Sequence, residues 1–179
     1  MRAMNPGDAQ LMVPVLAAVT LGLLLVLGER TGNRRHLALS RRFAHRAVCD
    51  PLARAEDRLQ GLHANTQIPK FVAAARDFEL TGEDYYRDAA TNAWRFVAVH
   101  RSYCCGGHSN FEHFRTPPDV LADEISTNTQ ETCNTYNMLK LTRLLFGWQA
   151  DPQYADFYER ALLNHVLATQ HPAAGQVMY

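Results

Sequence analysis

The sequence predicts an all-α fold, an α/α toroid built from successive helical hairpins. Three observations predict it. Apolar residues recur at helical spacing in four separate segments. A stop, turn and start pattern of the kind that joins antiparallel helices recurs three times. No segment shows strand alternation bounded by hairpin turns.

Taken in order, the chain opens with an uncharged run, Leu11–Leu27, flanked by Arg2 and Arg30. A spanning helix needs about 20 apolar residues, so the run is slightly short for one. It reads either as a buried helix or as a signal or membrane anchor, and it sets residues 1–27 apart as an apolar N-terminal segment. Contact with a membrane is expected only through this run.

The recurring punctuation comes next. Thr31-Gly32-Asn33, Thr81-Gly82-Glu83 and Ala150-Asp151-Pro152 each separate an apolar-rich segment from a helical pattern. Glycine just past a helix end tolerates the left-handed conformation found there. Asp151 followed by Pro152 is a good cap and first-turn pair, because proline lacks only a donor that would be orphaned anyway. Each pattern therefore marks an αα-hairpin. The stripe Ile68, Phe71, Val72, Ala75 and Phe78 predicts one helix, and Tyr86, Ala89, Ala90, Ala93, Trp94 and Val97 the next. Met138, Leu141, Leu144 and Leu145 predict a third. Tyr154, Phe157, Tyr158, Ala161, Leu162, His165 and Val166 predict a fourth, with His165 as a core histidine. The hairpins are unequally spaced, which argues against a uniform short-repeat solenoid. Between the second and third of these helices lies a long irregular stretch, 101–130, rich in aromatics and small residues. A loop of that length in a helical domain is usually functional.

Composition excludes several classes of function. Lys+Arg and Asp+Glu both number 18, so the formal charge is zero and no nucleic-acid partner is expected. The cluster Arg34, Arg35, Arg41, Arg42 and Arg46 reads as a solvated helix face. Cys49, Cys104, Cys105 and Cys133 match no disulfide framework and no CxxC metal motif, so thiols are expected, one or more of them available to a metal. Thiols suit a reducing interior, whereas the apolar run suits export.

Within the long loop, Glu112 sits between aromatics and beside His113. Partial burial there would favour its protonated form and suit it to proton donation; otherwise it is an exposed loop carboxylate. Further on, Thr127 with Gln130, or Asn128 with Glu131, has capping-box spacing. Glu131 and Cys133 also offer a carboxylate and a thiolate two residues apart. Zinc accepts both, although two ligands do not complete a tetrahedral site. His63 and Gln67 lie four apart at the start of the first apolar stripe, so they share a face if that helix begins early. Asn65 and Thr66 could simply cap it.

The segments HANTQIPK (63–70), GGHSNFEHF (106–114) and ETCNTYNMLKLTRLLF (131–146) resemble signature segments of the family 127 glycoside hydrolases, of the β-L-arabinofuranosidase type. DPQYADFYERALLNHVLATQHP (151–172) continues the likeness, which makes residues 28–179 part of a catalytic domain. The resemblance implies part of an (α/α)6 barrel and release, with retention, of β-L-arabinofuranose or a related sugar from a carbohydrate substrate. It implies a cysteine nucleophile bound to zinc, with Glu112 as acid/base and Glu131 and Cys133 as zinc ligands. His63, Gln67 and His108 are expected to bind substrate. The remaining zinc cysteines of the family form an adjacent pair downstream of the Glu-Thr-Cys motif. They, and the nucleophile among them, are expected beyond Tyr179, so these residues alone are expected to be inactive. Cys104 and Cys105 precede Glu112 and are not assigned to that role. An α/α barrel with about half its helices is expected to leave apolar faces uncovered. The competing reading is a non-catalytic helical remnant, tethered through Leu11–Leu27, that binds carbohydrate without turnover.

Overall fold

The computed structural model describes residues 20–178. Helix α1 covers residues 20–31, α2 Arg34–Ser40, α3 Arg46–Ala53, α4 Ala64–Thr81, α5 Asp84–Ala98, α6 Thr132–Trp148 and α7 Pro152–Ala161. A π turn over Leu162–Val166 and a 3-10 turn over Leu167–Thr169 extend α7. Among the described residues there are only isolated β-bridges and no strands, as the sequence predicts.

The three predicted turns fold for the predicted reasons. Gly32 and Gly82 have φ of 65° and 71°, and Gly82 donates its N–H to Phe78 at 2.8 Å. Asn33 caps α2 by accepting from the Arg35 N–H at 3.0 Å. Asp151 caps α7 by accepting from Gln153 N–H, also at 3.0 Å, with Pro152 in the first turn. Each cap satisfies a donor that the helix itself leaves orphaned.

Helix α4 is the central element. It packs on α5 and α6, while α3 covers α5 and α7 covers α6. The predicted stripes form the core: Ile68, Phe71 and Ala75 of α4; Ala89, Ala90, Ala93, Trp94 and Val97 of α5; Met138, Leu141 and Leu145 of α6; Phe157 and Ala161 of α7. Trp94 meets Tyr154 and Phe157 edge-on and donates its indole N–H to Thr142 Oγ1 at 2.8 Å, so its polar atom is satisfied where the ring is buried. Antiparallel hairpins with this succession make part of an α/α toroid.

The apolar N-terminal run is only partly within the described residues; 11–19 lie outside them. Its described part belongs to α1 and is two-faced. Leu21 and Leu25 are buried against Ala73, whereas Leu23, Val26 and Leu27 are exposed. No described helix is long and apolar enough to cross a membrane, so the expected membrane contact finds no support. The arginine cluster is a solvated surface, as expected: Arg34, Arg35, Arg41, Arg42 and Arg46 are all exposed, and Arg41 also pairs with Glu83 and lies over Tyr86. Phe146, Leu163 and Leu167 are also exposed, and Phe146 lines an apolar cavity of about 400 Å³ between α6 and α7.

Candidate active site

The three signature segments, far apart in sequence, meet where α4 and α6 begin. The turn before α4 and the hairpin 110–113 are joined by backbone hydrogen bonds. Gly61 N–H donates to Phe114 O at 2.6 Å, Phe114 N–H to Leu62 O at 3.0 Å, and Ala64 N–H to Glu112 O at 2.7 Å. The last bond satisfies an orphaned N–H of α4. A second set ties in the approach to α6: Phe111 N–H donates to Asn128 O at 3.2 Å and Gln130 N–H to Ser109 O at 3.1 Å. Side-chain bonds complete the join. Asn134 Nδ2 donates to Ser109 Oγ at 2.6 Å, and Asn137 Nδ2 donates to Asn65 Oδ1 at 2.8 Å.

This scaffold brings His63 and Glu112 together. His63 is the N-cap residue of α4, and its Nε2 lies 3.3 Å from Glu112 Oε2. The His63 side chain is mostly buried and its Nδ1 has no partner, whereas the Glu112 side chain is 47% exposed. Glu112 thus presents a carboxylate at the surface with one oxygen held against an imidazole.

Glu131 lies within electrostatic reach of Glu112. It is the N-cap residue of α6, but its side chain makes no capping bond, so the capping-box expectation fails. Its Oε2 is buried without a partner. Burial favours its protonated form, the Glu112 carboxylate adds to that, and His113 opposes it. A carboxylate oxygen enclosed in this way suits a bound cation or proton better than a vacant interior. Cys133 follows in the first turn of α6, half-buried, its Sγ 3.6 Å from Asn134 Oδ1. Glu131 and Cys133, two residues apart at the start of α6, are both of the donor types that zinc accepts. Among the described residues, no group of three or more His, Cys, Asp or Glu is arranged to hold a metal.

Gln67 and His108 are enclosed. Gln67 donates to Thr66 Oγ1 at 2.9 Å and accepts from Lys70 Nζ at 2.8 Å. His108 is wholly buried, stacked on Phe114 with both ring nitrogens unpartnered, and burial pulls its pKa down to about 3. Neither offers an open edge to a substrate in this structure, in contrast to Glu112. His165 is a core histidine as expected, its Nδ1 3.0 Å from Thr135 Oγ1. Cys104 is exposed, and Cys105 makes a close sulfur contact with Gln130 Oε1.

Sequence reasoning missed a buried polar cluster on α4. Lys70 is 1% exposed, its Nζ 2.8 Å from both Gln67 Oε1 and His45 Nδ1. Burial lowers its pKa to about 8, with the nearby Cys49 thiol acting the other way. It also missed the Arg101–Asp57 ion pair beneath the long loop. Lysine and arginine are so rarely enclosed that spacing alone gives no signal for either.

A helical toroid that gathers a half-exposed carboxylate, an imidazole and a partly buried second carboxylate where its helices and long loop meet has the architecture of an α/α-toroid glycoside hydrolase. The chain belongs to the family of β-L-arabinofuranosidase GH127 catalytic domains, whose profile matches residues 14–179. Solved structures share the fold. A GH127 β-arabinofuranosidase superposes with a TM-score of 0.71 at 20% identity, over 89% of this chain and 27% of that one. A GH127 β-L-arabinofuranosidase from Geobacillus stearothermophilus T6 gives 0.69 at 24% identity, over 87% and 29%. A third structure, a glycoside hydrolase, gives 0.67 at 18% identity, over 95% and 31%. The chain thus spans less than a third of the structures it matches. No curated protein matches the sequence.

Proposed function

We propose that these residues form the acid/base side of the active site of a retaining glycosidase that releases β-L-arabinofuranose or a related sugar. The observation that supports this reading best is the placement of Glu112: a half-exposed carboxylate, 3.3 Å from His63 Nε2, on a hairpin bonded to the start of α4. A general acid must reach the leaving oxygen from a fixed position, and this hairpin supplies one.

Glu112 protonates the departing glycosidic oxygen in the first step. In the second it takes a proton from the incoming water, which restores the acid. His63 lies beside the carboxylate and, as a sugar contact, orients the substrate hydroxyls against it. Gln67 and His108, both enclosed, act behind this surface and not on the sugar, Gln67 through Thr66 and Lys70 and His108 through its packing on Phe114. Glu131 and Cys133 would hold zinc. When bound, zinc supplies the charge that keeps a cysteine as thiolate near neutral pH.

The test is steady-state hydrolysis of an aryl β-L-arabinofuranoside by the intact enzyme and its Glu112→Gln variant. The variant is expected to lose about 100-fold or more in kcat/KM when the leaving group needs protonation, and less with an activated phenol. Equal rates for both proteins would reject Glu112 as the acid/base. Sugar binding without turnover in the unaltered protein would favour the non-catalytic reading instead.

A further inference from the structure

We propose that His113 is a positioning residue, which holds Glu112 in the backbone conformation that aims its carboxylate. The inference rests on the reading of Glu112 as the acid/base. Asn110 and His113 exchange two backbone hydrogen bonds, each 3.1 Å, which leaves Phe111 and Glu112 as the two-residue tip of a tight hairpin. Both tip residues have positive φ, 47° and 63°. Two positive φ values in a row are the pattern of a type I′ turn, normally filled by Asn-Gly or Gly-Gly. Phe and Glu both carry a Cβ that this region disfavours, at a cost of about 1–2 kcal/mol each. Such a turn persists only where its surroundings over-determine it.

His113 supplies two of the restraints. Its Nδ1 lies 2.6 Å from the Phe111 carbonyl oxygen. A carbonyl only accepts, so Nδ1 carries the hydrogen and the ring bonds back across Glu112 to the peptide that precedes it. The other restraint is packing. The His113 ring sits 4.9 Å from the His63 ring, centroid to centroid and tilted by 55°. His63 is the group that Glu112 meets at 3.3 Å. His113 therefore fixes the peptide before the acid/base and the imidazole beside it, without its own ring needing to touch substrate. Ala64, through its bond to the Glu112 carbonyl, secures the far side of the same residue.

The test compares His113→Phe, which keeps a ring but removes the donor, with His113→Asn, which keeps a donor, in the intact enzyme. For His113→Phe, kcat should fall about tenfold or more with KM little changed, because a displacement of about 1 Å is enough to cost that much. The loss should be larger for poor leaving groups than for activated phenols, the signature of a misplaced acid. His113→Asn should recover part of the rate. Adding Phe111→Gly to His113→Phe should also recover it, because glycine adopts the turn unaided. This double variant carries the test if His113→Phe alone does not fold. Leaving-group-independent losses, or no recovery in either rescue, would overturn the proposal. If Glu112→Gln is itself fully active, the acid/base reading fails first. If Glu112→Gln is inactive and His113→Phe is unimpaired, only the role of His113 fails.

Discussion

Oε2 of Glu112 lies 3.3 Å from Nε2 of His63, so the tip of a hairpin in the long loop meets the N-cap residue of α4. The pair is held from the backbone, since the next residue after His63 donates its N–H to the Glu112 carbonyl. His63→Ala should therefore disturb substrate binding more than folding. In the intact enzyme, KM for an aryl arabinofuranoside should rise about tenfold, the loss expected for one polar contact to a sugar hydroxyl, while the melting temperature shifts little. An unchanged KM would place His63 outside the substrate site.

The thiols should separate by accessibility and by zinc. Cys104 is exposed, and Cys49 is buried with its thiol pushed up to about 11 by that burial. Alkylation followed by peptide mass spectrometry should label Cys104 early and Cys49 last. Zinc added before the reagent should slow labelling of Cys133 and leave Cys104 unaffected. Protection of Cys104 rather than Cys133 would contradict the assignment of Cys133 as a ligand.

Asp77 gives a pH dependence with a definite sign. It is 2% exposed with Oδ1 unpartnered, and its pKa is raised to about 6 by burial, against the pull of Arg41 and with a push from Glu83. Between its ordinary value of 3.8 and 6 the folded chain holds a proton that the unfolded chain has lost. Stability should then fall as pH rises through that window, with the full cost present above it. Asp77→Asn should raise the melting temperature at pH 7, leave it nearly unchanged below pH 4, and flatten the slope between. A variant less stable than the parent at pH 7 would show that the carboxylate is favourable there.

The long loop is seated on α7 through Gly106. Its φ is 93°, and a Cβ there would stand 2.6 Å from Ala161 Cβ and 2.7 Å from its Cα. Gly106→Ala combines backbone strain with a clash against helix backbone, and should cost about 3 kcal/mol or prevent folding. Chemical denaturation measures it, and a loss below about 0.5 kcal/mol would show that the loop can lift off α7.

Much of this architecture was legible in the residues. Gly32, Gly82 and Asp151 carry their turns through local chemistry that needs no tertiary context. The stripes on α4 to α7 are largely buried because their spacing leaves one face apolar, although Leu162, past the end of α7, is exposed. The meeting of Glu112 with His63 was not legible from spacing, because backbone bonds between distant loops decide it. Only the family resemblance of the three segments grouped them. The turn at Phe111–Glu112 was also hidden, since neither residue type signals positive φ. The enclosure of His108, Gln67 and Lys70 follows from packing between elements, where polar side chains give no periodic sign.

The central claim is that Glu112 is the acid/base of a retaining glycosidase, and azide rescue tests it most directly. Azide needs no base to activate it, so it can replace water in the second step when the acid/base is missing. The intact enzyme with Glu112→Gln, given an activated aryl β-L-arabinofuranoside, should turn over slowly. It should accelerate with added azide and yield the glycosyl azide with the anomeric configuration of the substrate, read by proton NMR. Activity in the variant equal to the parent, or no acceleration and no azide product, would contradict the account.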